Sequence, residues 1–137
     1  MTYGALASTE LVAECKFEQA IAQACAEIAA APDEPEAYFN RGQALAGLGR
    51  FGEAATDYER ALALDASASG LDPEAADDEL FFALRNIAVS QKDHPPDALA
   101  TLERYRRVLP NGRHVDDIKT WTDHVNGVEV VWVRETA

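Results

Sequence analysis

The sequence predicts an all-α protein built as a stack of about three helix pairs, followed by a C-terminal capping helix and a short extended tail. Residues 35–66 carry the clearest pattern, because small and large residues alternate there at the offsets of two packed helices. Part of this pattern also occurs 34 residues earlier, and a more degenerate copy follows it. One such pair does not bury its apolar face alone, so neighbouring pairs must stack on it.

The central pair is predicted to consist of helices over about residues 36–48 and 52–64. Its bulky residues fill the space between the helices, and its small residues let the two backbones approach closely. The bulky positions are Tyr38, Leu45 and Tyr58, and the small positions are Gly42, Gly49, Ala54 and Ala61.

These offsets resemble a tetratricopeptide repeat, and Leu48-Gly49-Arg50-Phe51 fits the turn between the two helices of that family. The resemblance covers roughly residues 1–112 and is specific for residues 35–66. It implies a right-handed superhelical stack in which the first helix of each pair lines a concave surface. It also implies a binding scaffold and not a catalytic pocket.

The first and third copies of the repeat depart from the central one. In the first, Lys16-Phe17-Glu18-Gln19-Ala20 aligns with the start of the central second helix, which predicts a helix over about residues 17–31. Residues 3–14 are predicted to form a shorter first helix. The expected repeats are therefore about 1–34, 35–68 and 72–112, within a repeat domain of residues 1–127.

The third pair is predicted to begin with Asp72 as its helix cap and Pro73 in its first turn. The second-helix pattern recurs at Ala98, Leu102, Tyr105 and Pro110. Relative to the repeat pattern, the turn at His94-Pro95-Pro96 is predicted to contain one extra residue. With this alignment Phe81, Leu84 and Ala88 occupy positions that face the core. Without that insertion Arg85 would be buried without a partner, which is costly.

The C-terminal part is predicted to contain a capping helix over residues 113–126 and an extended tail over residues 128–137. Apolar residues recur at helical spacing from Val115 to Val125, and Asn126-Gly127 suits the end of a helix. As an alternative, residues 120–125 and 128–133 form a β-hairpin around Asn126-Gly127.

The composition excludes several classes of protein. With 24 acidic and 12 basic residues the net charge is −12, which argues against nucleic-acid binding. Residues 1–97 hold 18 acids and 6 bases, so a partner that meets them is expected to be neutral or basic. No apolar run suits a membrane span, and the first residues lack the features of a secretory signal. Two cysteines do not make a disulfide framework, and we expect a cytoplasmic protein.

No pattern in the sequence indicates catalysis, a metal or a cofactor. The three histidines and two cysteines lack zinc spacing, and Asp77-Asp78-Glu79 lacks the alternating ligands of a calcium loop. No glycine-rich phosphate loop or serine triad is visible. We therefore predict that the protein is not an enzyme.

The resemblance points to a peptide-binding groove. It implies that the groove is lined from two successive first helices, where a carboxylate, an aromatic ring and an amide recur in the same order. Such a surface would offer apolar anchors beside amides that bond a peptide or a helix. The alternative is that both phenylalanines are buried against neighbouring helices. The predicted peptide-binding residues are Glu36, Phe39, Asn40, Gln43, Glu79, Phe82 and Asn86.

One subclass of the family is nearly excluded. Its chaperone-binding members hold a C-terminal acidic peptide with a clamp of lysines, asparagines and an arginine. Of the matching residues here, only Asn40 agrees, and Glu79 reverses the sign of a lysine. An alternative to the adaptor is a structural or regulatory homo-oligomer, assembled through residues 128–133 and the end repeats. An accessory subunit of an enzyme is a third possibility.

Overall fold

The structure is a computed structural model that describes residues 6–67 and 69–125. Those residues form seven α-helices and no strand, which confirms the predicted all-α class. The helices are α1 (Ala7–Ala13), α2 (Phe17–Ala30), α3 (Pro35–Gly47), α4 (Phe51–Ala63), α5 (Pro73–Ser90), α6 (Pro95–Val108) and α7 (Val115–Val125).

The described residues belong to two compact units. The first unit ends at Ala83 and the second begins at Leu84, so the boundary falls within α5. In the first unit α1, α2, α3 and α4 follow one another, and α3 contacts each of the other three. In the second unit α7 packs on α6.

The predicted helices agree with the observed ones to within a few residues. α3 and α4 each begin one residue before the predicted start, and α1 is a short first helix. Phe81, Leu84 and Ala88 are buried, as predicted from the alignment with one extra residue in the turn after α5. Residues 120–125 lie in α7, so the β-hairpin alternative is wrong for them. The predicted tail at residues 128–137 lies outside the described part of the chain.

Local signals in the sequence start and end α3. The Glu34 carboxylate accepts a hydrogen bond from the Glu36 amide at 2.9 Å, and Pro35 occupies the first turn. At the other end Gly49 has a φ of 78°, in the left-handed region that a glycine adopts without steric cost. The Arg50 amide then donates to the Leu45 carbonyl at 2.9 Å, which closes a Schellman turn.

The same turn ends α1, but a cysteine occupies the left-handed position. Cys15 has a φ of 59°, and its amide donates to the Val12 carbonyl at 2.9 Å. Cys15 precedes Gly49 by one repeat of 34 residues, so the two positions are equivalent. A residue with a β-carbon is strained in this conformation. The first repeat therefore has a costlier turn than the second.

α3 and α4 approach closely because glycine and alanine lie between them. A β-carbon on Gly42 would lie 2.6 Å from a ring carbon of Tyr58, which is fully buried. Ala44, Ala54 and Ala61 are likewise without solvent exposure. The predicted contact of a bulky residue with a small one is therefore present at Tyr58 and Gly42, and the predicted small residues Ala54 and Ala61 are buried.

The second unit is organised around Tyr105 of α6. Its ring is buried, and its hydroxyl accepts a hydrogen bond from the His114 amide at 2.9 Å, just before α7. Ala98 and Leu102 of α6 and Ile118 of α7 are also buried. A side chain on Gly112 would collide with the Tyr105 hydroxyl, so this turn requires glycine.

Replacing Cys15 by glycine should stabilise the protein. The change Cys15→Gly removes the β-carbon from a left-handed residue, and we expect the free energy of unfolding to rise by about 1 kcal/mol. Urea denaturation followed by circular dichroism measures it. Cys15→Ala removes the thiol but keeps the β-carbon, so it should give no gain. An equal gain in both variants would assign the effect to the thiol and not to the backbone.

Replacing Gly42 by alanine should destabilise the protein. The added methyl group meets the Tyr58 ring, and we expect Gly42→Ala to lower the free energy of unfolding by about 2 kcal/mol. Gly52→Ala is the matched control, because a β-carbon at Gly52 meets no atom within 4 Å and alanine favours helix. Similar denaturation midpoints for the two variants would contradict the close packing of α3 on α4.

Candidate functional site

The groove residues predicted on α3 fall into two pairs with different exposure. Glu36 and Asn40 are buried, with 7% and 4% of their surface exposed. Phe39 and Gln43 are half-buried. The first pair is engaged by α1, and the second pair contacts α4, as the hydrogen bonds and ring contacts of each side chain show.

Asn40 links α3 to α1 through both of its amide hydrogens. Its Nδ2 donates to Ser8 Oγ at 2.8 Å and to Thr9 Oγ1 at 2.9 Å. Each hydroxyl then donates its own proton to a carboxylate: Ser8 to Glu27 of α2, and Thr9 to Glu36 at 3.1 Å. We call these five residues the polar network. Each donor in this series of hydrogen bonds is directed at an acceptor, so the polar network fixes the position of α1 along α3.

Glu36 is the least satisfied member of the polar network. Its Oε2 accepts from Thr9, but its Oε1 is buried without a hydrogen-bond partner. Burial raises the pKa of the Glu36 carboxyl, and the nearby carboxylates of Glu34 and Glu27 raise it further. The bond from Thr9 acts in the opposite direction. The site therefore favours a protonated Glu36 more than water does.

Phe39 and Gln43 are both positioned by Tyr58 of α4. The Phe39 and Tyr58 ring centroids lie 5.7 Å apart in a tilted arrangement, and the Tyr58 hydroxyl donates to Gln43 Oε1. Burial raises the pKa of Tyr58, and the carboxylates of Glu79 and Asp57 add to this shift. Tyr58 therefore stays protonated and keeps its hydrogen bond to Gln43. The effect of Glu79 on Tyr58 also indicates that α5 brings a carboxylate close to this pair.

On α5, Glu79 and Phe82 differ in their surroundings. Glu79 is half-buried, and burial raises the pKa of its carboxyl, with a further contribution from Asp78. Phe82 has 38% of its surface exposed, and its ring lies 5.6 Å from that of Phe81. Phe81 itself is buried. Asn86 is exposed and lies beyond the unit boundary, on the second half of the helix.

A second feature, on another face of α3, was not predicted. Arg41 donates through Nε and Nη2 to the two oxygens of Asp57 on α4, both at 2.8 Å. This bidentate bond raises the pKa of the Arg41 guanidinium. The pair lines a cavity of about 380 Å³ together with Ile21, Cys25, Leu45, Arg50, Glu53 and Thr56. The sequence signal for this ion pair was Arg41 itself, an arginine that follows Asn40 on a helix rich in alanine.

The structure thus places the predicted residues in three environments. Glu36 and Asn40 are held by α1, whereas Phe39 and Gln43 contact Tyr58, whose pKa the Glu79 carboxylate helps to raise. Phe82 offers an exposed ring. These groups are amides, carboxylates and aromatic rings, which are suited to recognition by hydrogen bonds and apolar contact. The sequence signal for the contact of α1 with Asn40 was a hydroxyl residue, Ser8, at the position that Gly42 occupies one repeat later.

In comparison with known proteins, residues 35–68 match the family model of the tetratricopeptide repeat. No curated protein and no solved structure gives a significant match to the chain. A repeat of this family suggests a protein–protein interaction scaffold, and proteins of the family are generally non-enzymatic. None of the described helices has both the length and the apolar character of a bilayer span.

Removing the Asp57 charge should leave Arg41 uncompensated. The side chains of Arg41 and Asp57 are only 27% and 7% exposed, so we expect Asp57→Asn to cost about 2 kcal/mol of unfolding free energy. Glu53→Gln is the matched control, since it breaks the exposed ion pair with Arg50 and should cost less than about 0.5 kcal/mol. Thermal unfolding measures both. Equal losses would mean that the buried pair contributes no more than a surface pair.

Proposed function

We propose that this protein is an adaptor whose concave groove binds a peptide or a helix of a partner protein. The groove is lined by α3 and by the part of α5 that belongs to the first unit. Its proposed contacts are Glu36, Phe39, Asn40, Gln43, Glu79 and Phe82. Asn86 completes the set expected from the sequence and stays a prediction.

The observation that carries this proposal is the exposed ring of Phe82 within a repeat scaffold. A large aromatic side chain with 38% of its surface exposed is a natural anchor for a partner. The half-buried Phe39 and Gln43 supply a second ring and an amide on α3. The alternative in which both phenylalanines are sealed in the core receives no support at Phe82.

Charge favours a neutral or basic partner. The first 97 residues carry three acids for every base, and among their six bases Lys16, Arg41 and Arg50 form ion pairs with Glu14, Asp57 and Glu53. Glu79 adds a half-buried carboxylate close to Tyr58. A lysine or arginine beside an apolar residue in the partner would complement this surface. An acidic C-terminal peptide would be repelled.

The homo-oligomer remains the alternative function, and it depends on residues 128–133, which lie outside the described part of the chain. We propose the adaptor in preference because its contacts involve described residues. A cytoplasmic location belongs to the same proposal, and the exposed, unpaired Cys15 and Cys25 are compatible with a reducing compartment.

The adaptor proposal predicts that capture of a partner depends on the exposed ring of Phe82. We expect Phe82→Asp to keep the helical circular dichroism spectrum and to reduce recovery of a partner protein at least about tenfold in affinity capture from the native cell. Phe39 is less suitable for this test because its ring packs on the buried Tyr58, so its replacement would disturb the core.

Leu48→Asp is the matched control for this experiment. Leu48 lies in the turn after α3 with 39% of its surface exposed, so the two changes add the same charge at equally exposed apolar residues. The proposal requires Leu48→Asp to retain the partner. Equal recovery with Phe82→Asp and with the unchanged protein would refute the groove. A lower mass in light scattering after removal of residues 128–137 would instead favour the oligomer.

A further inference from the structure

α1 packs on α2, and its attachment to α3 is through polar side-chain contacts. The helix has seven residues, and the one buried side chain among them is that of Ser8. Leu11 and Val12 are only half-buried. The apolar area that α1 removes from water is therefore small for a helix, and short helices have little stability of their own. The hydroxyls of Ser8 and Thr9, bound to Asn40 and to the two glutamates, supply most of its specific attachment.

Two features make this attachment costly. The first is the buried Oε1 of Glu36, which lacks a hydrogen-bond partner while its sister oxygen accepts from Thr9. An unpaired polar atom in a buried place is expensive, and more so when it carries charge. The second is Cys15 at the end of α1, which adopts the left-handed conformation that Gly49 supplies in the next repeat. Both costs vanish when α1 leaves α3 and its final turn unwinds.

The surroundings of Glu36 do not compensate its charge. From α2 the charged group that acts on it is Glu27, and from the preceding turn it is Glu34, so both are acidic. α1 presents the neutral Thr9 hydroxyl to it. An ionised Glu36 therefore meets repulsion and a neutral donor.

We infer that α1 is a reversible latch, docked on α3 by the polar network and released when the Glu36 carboxyl ionises. In the docked state ionisation is opposed by burial and by the neighbouring carboxylates. Release removes the burial that α1 imposes on the carboxyl, so its pKa moves toward the ordinary value of 4.5, although Glu27 and Glu34 stay beside it. As the pH rises above 4.5, the released state therefore gains stability relative to the docked state, and below it the preference for release disappears.

Release of α1 would uncover Asn40 and Glu36. Both amide hydrogens of Asn40 are occupied by α1 in the docked state, so a groove ligand must compete for them. This last step rests on the proposed function, whereas the latch itself does not. A peptide that bonds Asn40 would bind the released state better and would shift the equilibrium toward it.

Hydrogen exchange of the free protein tests the latch without any ligand. We compare protection factors of the α1 amides with those of α4, which lies in the same unit, at pH 4.5 and at about pH 7.5. In the unchanged protein the protection of α1 relative to α4 should fall over this range, because the docked carboxyl resists ionisation more than the released one does. Glu36→Gln cannot ionise, so its α1 protection should stay constant with pH.

Glu18→Gln is the matched control, because it removes one carboxylate from an exposed position on α2. It should show the same pH dependence as the unchanged protein. Equal pH dependence in Glu36→Gln and in Glu18→Gln would overturn the inference, as would α1 protection that does not vary with pH in the unchanged protein. Either result leaves partner capture by Phe82 untouched, since it is measured separately, and only the proposed contacts at Glu36 and Asn40 depend on release of α1.

A second variant covers the case in which Glu36→Gln does not fold. Thr9→Val removes the hydroxyl that joins Asn40 to Glu36 and conserves side-chain volume. We expect it to lower α1 protection at both pH values while α4 stays protected. Unchanged α1 protection in Thr9→Val would show that the polar network does not hold the helix, and the latch would then be wrong.

Discussion

The contact between Gly42 of α3 and the ring of Tyr58 on α4 supports the rest of the first unit. It brings the two helices so close that a single β-carbon would collide, and it buries Tyr58 completely. The buried ring then fixes Phe39 by aromatic contact and Gln43 by a hydrogen bond. Phe39 and Gln43 lie on the side of α3 that is proposed to meet a partner. Their positions are therefore fixed by the buried Tyr58 behind them and not by contacts among the surface residues.

α3 has different chemistry on its separate faces. One face contributes Glu36 and Asn40 to the polar network with α1, while Arg41 is directed to Asp57 and a cavity beside α2 and α4. Although the chain has twice as many acidic as basic residues, Arg41 forms its ion pair within the fold. A buried ion pair contributes little net stability, but loss of either partner is costly, so such a pair fixes one arrangement of α3 on α4.

The polar network has a different consequence for α1. Alanine and aromatic packing joins α3 to α4, whereas hydroxyl, amide and carboxylate groups join α1 to α3. Apolar contact varies little with pH, but a network that ends on a buried, partly unsatisfied carboxylate varies with protonation. Under the latch inference the attachment of α1 therefore varies with pH, and α1 covers two of the residues expected to meet a ligand.

The sequence by itself determined the helices, their order, the central repeat and the turn at Gly49, because these depend on spacing and conformation within a few residues. It also predicted that Phe81, Leu84 and Ala88 are buried. Only the tertiary structure decided what Glu36 and Asn40 do, since their partners Thr9 and Ser8 lie 27 and 32 residues away in the chain. The pairing of Arg41 with Asp57, 16 residues apart, was hidden for the same reason. Periodicity indicates which face a residue occupies, but the neighbouring helix determines which atoms it meets there.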